Sequence, residues 1–205
     1  MSKPFIFKSE FWIVSYTGIK VDTLSDFIHA LKEIEPASLF YHFYANIFNY
    51  HYLPTFYPNS FSYWLYKNNY MLLAEKIAAI DPTDYYDIEL LRKEIISILE
   101  KNYDEKIKRK LIPFYFRSAI REVIKTGYVA NNFEEFIEGI KVSSINSLFY
   151  HLVTSKIEKK SPINEYSKWL IEIEEKEKAE KIEKLDIYSG TLYKIKVKIL
   201  SILEE

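Results

Sequence analysis

The feature that most limits what this chain can fold into is that it is written twice. Phe5-Ile-Phe-Lys-Ser9 matches Phe114-Tyr-Phe-Arg-Ser118, Thr17-Gly18 matches Thr126-Gly127, and Ser38-Leu-Phe-Tyr-His42 matches Ser147-Leu-Phe-Tyr-His151, always at an offset of 109 residues. Residues 5–42 share 14 identities in 38 ungapped positions with 114–151, far above chance. After a four-residue deletion the match resumes: Asn59 faces Asn164, Trp64-Leu65 faces Trp169-Leu170, and Ala74-Glu-Lys-Ile77 faces Ala179-Glu-Lys-Ile182. Ser97-Ile-Leu-Glu100 and Ser201-Ile-Leu-Glu204 close the two copies. A repeat of this length is one structural unit used twice. The expected organisation is a unit over 1–103, a linker over 104–113 and a second unit over 114–205.

Each copy reads as about five helices, which gives an all-α expectation. Ser9 and Ser118 can cap a short first helix, after a brief extended segment at Phe5–Phe7, and Gly18 and Gly127 can end it in the left-handed conformation. Leu24, Phe27, Ile28 and Leu31 recur at spacings of three and four after Asp22-Thr23, and Phe133, Phe136, Ile137 and Ile140 repeat that pattern. Pro36 suits the first turn of a third helix. Asn59 and Asn164 are N-caps for a long fourth helix ending at Asp81 or Asp186, and Ile88, Leu91, Ile95 and Ile98 make the fifth amphipathic.

Composition excludes several classes. The absence of cysteine removes disulfides, thiolate metal sites and a cysteine nucleophile. Four glycines cannot build a phosphate loop in addition to helix ends. Residues 1–103 hold 9 basic and 12 acidic groups and 104–205 hold 19 and 17, balances of −3 and +2, so no nucleic-acid partner is expected. The basic run Lys106 to Lys110 lies in the linker and reads as solvated. No stretch is long enough to span a bilayer, and the start lacks a signal-peptide pattern, so the expectation is a cytoplasmic protein without a membrane partner. The Lys, Glu and Ile content and few glycines fit a heat-adapted protein or an AT-rich genome.

The copies differ in one direction. Residues 40–70 carry fourteen aromatics, whereas the matching 149–175 carry four. Ile47, Tyr50 and His51 face Lys156, Lys159 and Lys160, and Tyr70 and Leu73 face Glu175 and Lys178. Lysine and glutamate seldom stay buried unpaired, so these positions are apolar in the first copy and solvent-facing in the second. Ile47, Tyr50, His51, Tyr70 and Leu73 are therefore interface candidates, covered by the second copy, by a homodimer partner or by another molecule.

Ser38, Tyr41, His42, Asn59 and Trp64 can line a pocket, with Ser147, Tyr150, His151, Asn164 and Trp169 as its pseudo-symmetric twin. Neutral-range histidines beside aromatic walls suit a small polar ligand. The competing reading makes the histidines hydrogen-bonded core, the asparagines caps and the tryptophans core. No His-x-x-x-His or Glu-x-x-His occurs and His42 lies nine residues from His51, so neither metal nor cofactor is expected. No nucleophile elbow accompanies Ser38.

Ser-x-Phe-Tyr-His, then Asn-x-Phe-Ser-x-Trp-Leu, Leu-Ala-Glu-Lys-Ile and Asp-Pro resemble a family of uncharacterised prokaryotic proteins known as a domain of unknown function. The resemblance spans nearly the whole chain, once per copy, and implies a fold unit without an established activity. Where that family places an Asp after the Asn, Ser60 and Glu165 stand here. The functional expectation is a non-catalytic binding or assembly protein acting through the aromatic surface of the first copy. The alternative is an enzyme, such as a hydrolase, or a small-molecule-binding protein with pockets around His42 and His151.

Overall fold

The computed structural model describes residues 3–48, 56–103, 109–187 and 190–205. It corrects the all-α expectation. Strand β1 (Phe5–Val21) pairs with β2 (Phe114–Ala130) in a two-stranded antiparallel sheet, so Ser9 and Ser118 lie in strands and cap no helix. Both segments are rich in the β-branched and aromatic residues that suit a pleated ribbon. Each finds its partner in the other copy, and a pairing that distant leaves no local sign such as a hairpin turn. Gly18 and Gly127 do take positive φ, 81° and 84°, but inside the strands. Beside them Thr17 Oγ1 accepts the Ile19 N–H and donates to the Phe116 carbonyl, and Thr126 Oγ1 accepts the Tyr128 N–H and donates to the Phe7 carbonyl. The Thr-Gly pair is thus a strand kink, made twice.

The chain forms two compact units: Trp12–Ile120, called here the His42 unit, and Met1–Phe11 with Arg121–Glu205, the His151 unit. The His42 unit holds α1 (Leu24–Glu33), α2 (Pro36–Phe48), α3 (Ser60–Lys67), α4 (Met71–Ala78) and α5 (Ile88–Lys101). The His151 unit holds α6 (Phe133–Val142), α7 (Ile145–Phe149), α8 (Ser155–Glu158), α9 (Glu165–Glu172), α10 (Lys176–Glu183) and α11 (Leu192–Glu204). A π-helical turn at Tyr150–Thr154 joins α7 to α8, where the matching α2 runs on as regular α-helix.

The predicted long fourth helix is two helices in each unit. Asn69 and Glu174 adopt left-handed φ of 60° and 72°. The following N–H groups, of Tyr70 and Glu175, return to the carbonyls of Leu65 and Leu170, the six-to-one bond of a Schellman ending. Neither break carries the glycine that would have announced it.

The first strand of each copy serves the other copy's helices. In the His42 unit Phe114 and Phe116 pack on Phe27 of α1, with ring centroids 5.4 and 5.7 Å away, and Phe114 also meets Phe61 of α3 at 5.7 Å. In the His151 unit Phe5 and Phe7 take the same places on Phe136 of α6, at 5.1 and 5.9 Å. All seven rings are buried. The apolar face of each helical set is closed by the first part of the strand that opens the other copy.

Phe116→Ala should therefore cost about 3–5 kcal/mol. Hydrogen exchange should show the lost protection in α1–α5 of the first copy. Loss confined to α6–α11 would contradict the exchanged strand.

Candidate functional site

Ser38 and His42 lie one turn apart on α2 and reach the same residue of β2. Ser38 Oγ donates to the Arg117 carbonyl at 2.7 Å, and the Arg117 N–H donates to His42 Nε2 at 2.8 Å. One helical turn thereby holds both polar groups of a single strand residue. In the His151 unit the Lys8 N–H donates to His151 Nε2 at 2.9 Å, and Lys8 is the counterpart of Arg117 in the repeat. Accepting an N–H requires a bare ring nitrogen, so each neutral imidazole carries its hydrogen on Nδ1.

At Nδ1 the units part. His151 Nδ1–H donates to Glu165 Oε2 at 2.5 Å, and Lys159 pairs with the other carboxylate oxygen. His42 is 4% exposed, and its Nδ1 is buried with no hydrogen-bond partner among the described residues. The position matching Glu165 is Ser60, which has no carboxylate to offer.

The titration behaviour follows from this geometry. Burial, aided by the Arg117 charge, pushes His42 down to about 3. Burial also lowers His151, against the opposing pull of Glu165. Burial alone would raise Glu165, but the bonds from His151 and Lys159 outweigh it and hold the carboxyl at about 2. Both histidines are neutral and Glu165 is ionised at neutral pH.

Beside His42 lies a cavity of about 420 Å³, lined by Tyr41, His42, Ser60, Tyr63, Trp64, Lys67, Tyr115, Arg117 and the 112–114 segment. Among the described residues that line it, aromatic rings make most of the wall, Lys67 and Arg117 are the cations, and there is no carboxylate. The corresponding cavity of the His151 unit, about 320 Å³, is lined by Lys3, Lys8, Lys159, Lys168, Glu165, Glu172 and Trp169 among others, and His151 lies behind it.

The structure brings Tyr41, His42 and Trp64 together on the lining of one cavity. Asn59 and Asn164 sit apart as caps, accepting the N–H groups of Ser62 and Ser167 at 2.9 Å. Trp64 and Trp169 are buried, and their indole N–H groups donate to the Ile112 and Lys3 carbonyls at 2.7 and 2.8 Å. Ser147 and Tyr150 are buried in the His151 unit. Of the interface candidates, Ile47 and Leu73 are buried within their own unit and Tyr70 is half-buried. Tyr50 and His51 lie outside the described residues. Sequence reasoning missed Arg117 and Lys8, whose roles depend on the exchanged strands. It noted Ser60 and Glu165 as departures from a pattern, and that contrast was the available signal for the site.

Among the described residues no three His, Asp or Glu side chains are grouped to hold a metal ion, and no helix is long and apolar enough to cross a membrane.

The fold and site together define a protein of two helical units, each closed by a strand anchored on a buried histidine. The chain belongs to the family of unknown function DUF5752, whose pattern matches residues 2–204. It is similar to the solved structure of OrfY from Thermoproteus tenax, with a TM-score of 0.87 and 25% sequence identity over 98% of this chain and 94% of that one. No curated protein matches it.

A histidine whose folded pKa lies below the unfolded value near 6.5 supports stability above that value and loses the contribution as pH falls toward the folded pKa. His42 should give a slope of about 1.4 kcal/mol per pH unit between pH 6 and 4. His42→Gln keeps an acceptor for the Arg117 N–H and removes the titration, so its denaturation midpoint should vary less over that range. Equal slopes in the two proteins would refute the assignment.

Proposed function

We propose that this protein binds a small molecule in the aromatic cavity of the His42 unit and does so without catalysis. One observation carries the reading: a buried imidazole N–H stands without an acceptor among the described residues, at the wall of a cavity large enough for a ligand. An unsatisfied buried donor costs roughly 1–3 kcal/mol, so it marks a place where something is to be supplied. Pockets of a few hundred Å³ with aromatic walls and one or two aimed polar groups are the usual form of small-molecule sites.

The bonding at Nε2 argues against the enzyme alternative. A histidine acts as a general base through its bare nitrogen, and in both units that lone pair already accepts a strand N–H. Protonating it would release the strand. What remains for chemistry at His42 is a neutral donor, which recognises a ligand but does not activate one.

A thermal-shift screen of small aromatic compounds on the full chain tests this reading. A ligand present at ten times its dissociation constant should raise the melting temperature by about 3–5 °C. Ser60→Phe, which fills the cavity, should abolish that shift. A shift that persists in the variant would move the site elsewhere.

A narrower observation favours the assembly reading: Met71 and Leu72 on α4 are 47% and 59% exposed, where the second copy has Lys176 and Glu177. Under that reading sedimentation should find a dimer at tens of micromolar protein and a monomer for Leu72→Glu. A wild-type monomer at every concentration would remove it.

A further inference from the structure

The two units differ at the cavity in a way that identifies what the empty donor awaits. In the His151 unit the chain supplies its own acceptor: the Glu165 carboxylate places one oxygen on His151 Nδ1 and the other on Lys159. Glu165 is the first residue of α9, and Ser60 is the first residue of α3. Two turns further along, Glu172 lines the one cavity and its counterpart Lys67 lines the other. The His42 cavity has thus exchanged two carboxylates for a hydroxyl and an ammonium. Between them Tyr63 replaces Lys168, which makes the wall more aromatic. What results is a concave aromatic site lined by Lys67, Arg117 and His42, with no acidic group among the described residues of its lining.

Resting on the reading of this cavity as a ligand site, we propose that its ligand is an organic carboxylate with an aromatic or apolar body. The carboxylate occupies the position that Glu165 fills in the other unit, accepting the His42 Nδ1–H, and its charge faces Lys67 and Arg117. The body packs on Tyr41, Tyr63 and Trp64. The imidazoles of both units are held by the same strand bond at Nε2, and in the His151 unit that leaves Nδ1–H on the first residue of the helix that follows the Asn cap. Unit by unit, one site is closed by its own side chain and the other is left for an incoming anion.

The test uses benzoate, phenylacetate and 3-phenylpropionate against the matching primary amides, with the intact chain, tryptophan fluorescence and thermal shift. At least one acid should bind about tenfold or more tightly than its amide, since a hydrogen bond to a charged acceptor exceeds one to a neutral acceptor by that order. Ser60→Glu should abolish binding of the acid by supplying the carboxylate internally, whereas Ser60→Ala should retain it. Proton NMR gives a readout independent of affinity. Wild type should show one strongly deshielded imidazole N–H, which Glu165→Gln removes, and saturating acid or Ser60→Glu should add a second. If an amide binds as well as its acid and Ser60→Phe still blocks it, the cavity reading stands and the carboxylate is wrong. If neither acids nor amides bind, both fail.

Discussion

The bond from a strand N–H to the bare nitrogen of a buried histidine is the interaction on which the rest of this structure depends. It occurs twice, from Arg117 to His42 and from Lys8 to His151. A two-stranded ribbon has edges, and a buried edge N–H without an acceptor is costly. The imidazole satisfies that donor from a helix, and the adjacent Ser38 hydroxyl satisfies the carbonyl of the same residue. With the edge held, the phenylalanines just before the anchored residue, Phe114 and Phe116 or Phe5 and Phe7, are fixed over the helical core. The Trp64 and Trp169 indoles hold the chain just before each strand. Histidine suits the position because its two nitrogens differ: one accepts from the strand while the other remains a donor.

That second nitrogen is where duplication left room for divergence. The anchoring bond uses Nε2 alike in both copies, so mutation around Nδ1 leaves the fold intact. In one unit the donor meets a carboxylate of the chain, and its pairing with Lys159 closes the site electrostatically. In the other the same donor has no partner among the described residues, and its ring lines a cavity walled by aromatic rings. The excess of aromatics in the first copy thereby acquires two explanations in place of one surface. Phe40, Phe43, Tyr44 and Phe61 are interior packing, while Tyr41, Tyr63 and Trp64 form a cavity wall. Ile47 and Leu73 are buried, and the residues facing them in the repeat, Lys156 and Lys178, are half-buried.

Much of the local structure was legible. Thr23, Asn59 and Asn164 cap helices because a short polar side chain before an amphipathic run is a local signal, readable without a fold. Leu24, Phe27, Ile28 and Leu31 are buried on one face, as their spacing required. The breaks at Asn69 and Glu174 were not legible, since residues other than glycine reach the left-handed region there only because the surrounding packing compensates the strain. The π-helical turn at Tyr150–Thr154 has no counterpart in α2, although both helices share Ser-Leu-Phe-Tyr-His.

By itself the sequence displayed a motif written twice, with Ser38 and His42 matched by Ser147 and His151, and marked where most helices begin. These follow from short-range periodicity and from self-comparison, and both are carried by residues close in the chain. Only the tertiary structure decided that Phe5–Val21 and Phe114–Ala130 are strands, that the first part of each closes the other copy's helices, and that Glu165 satisfies a donor which Ser60 leaves open. The physical reason is common to all three. They are pairings between groups far apart in the chain, and whether a hydrogen bond is made or withheld there depends on which partners the fold brings within 3 Å.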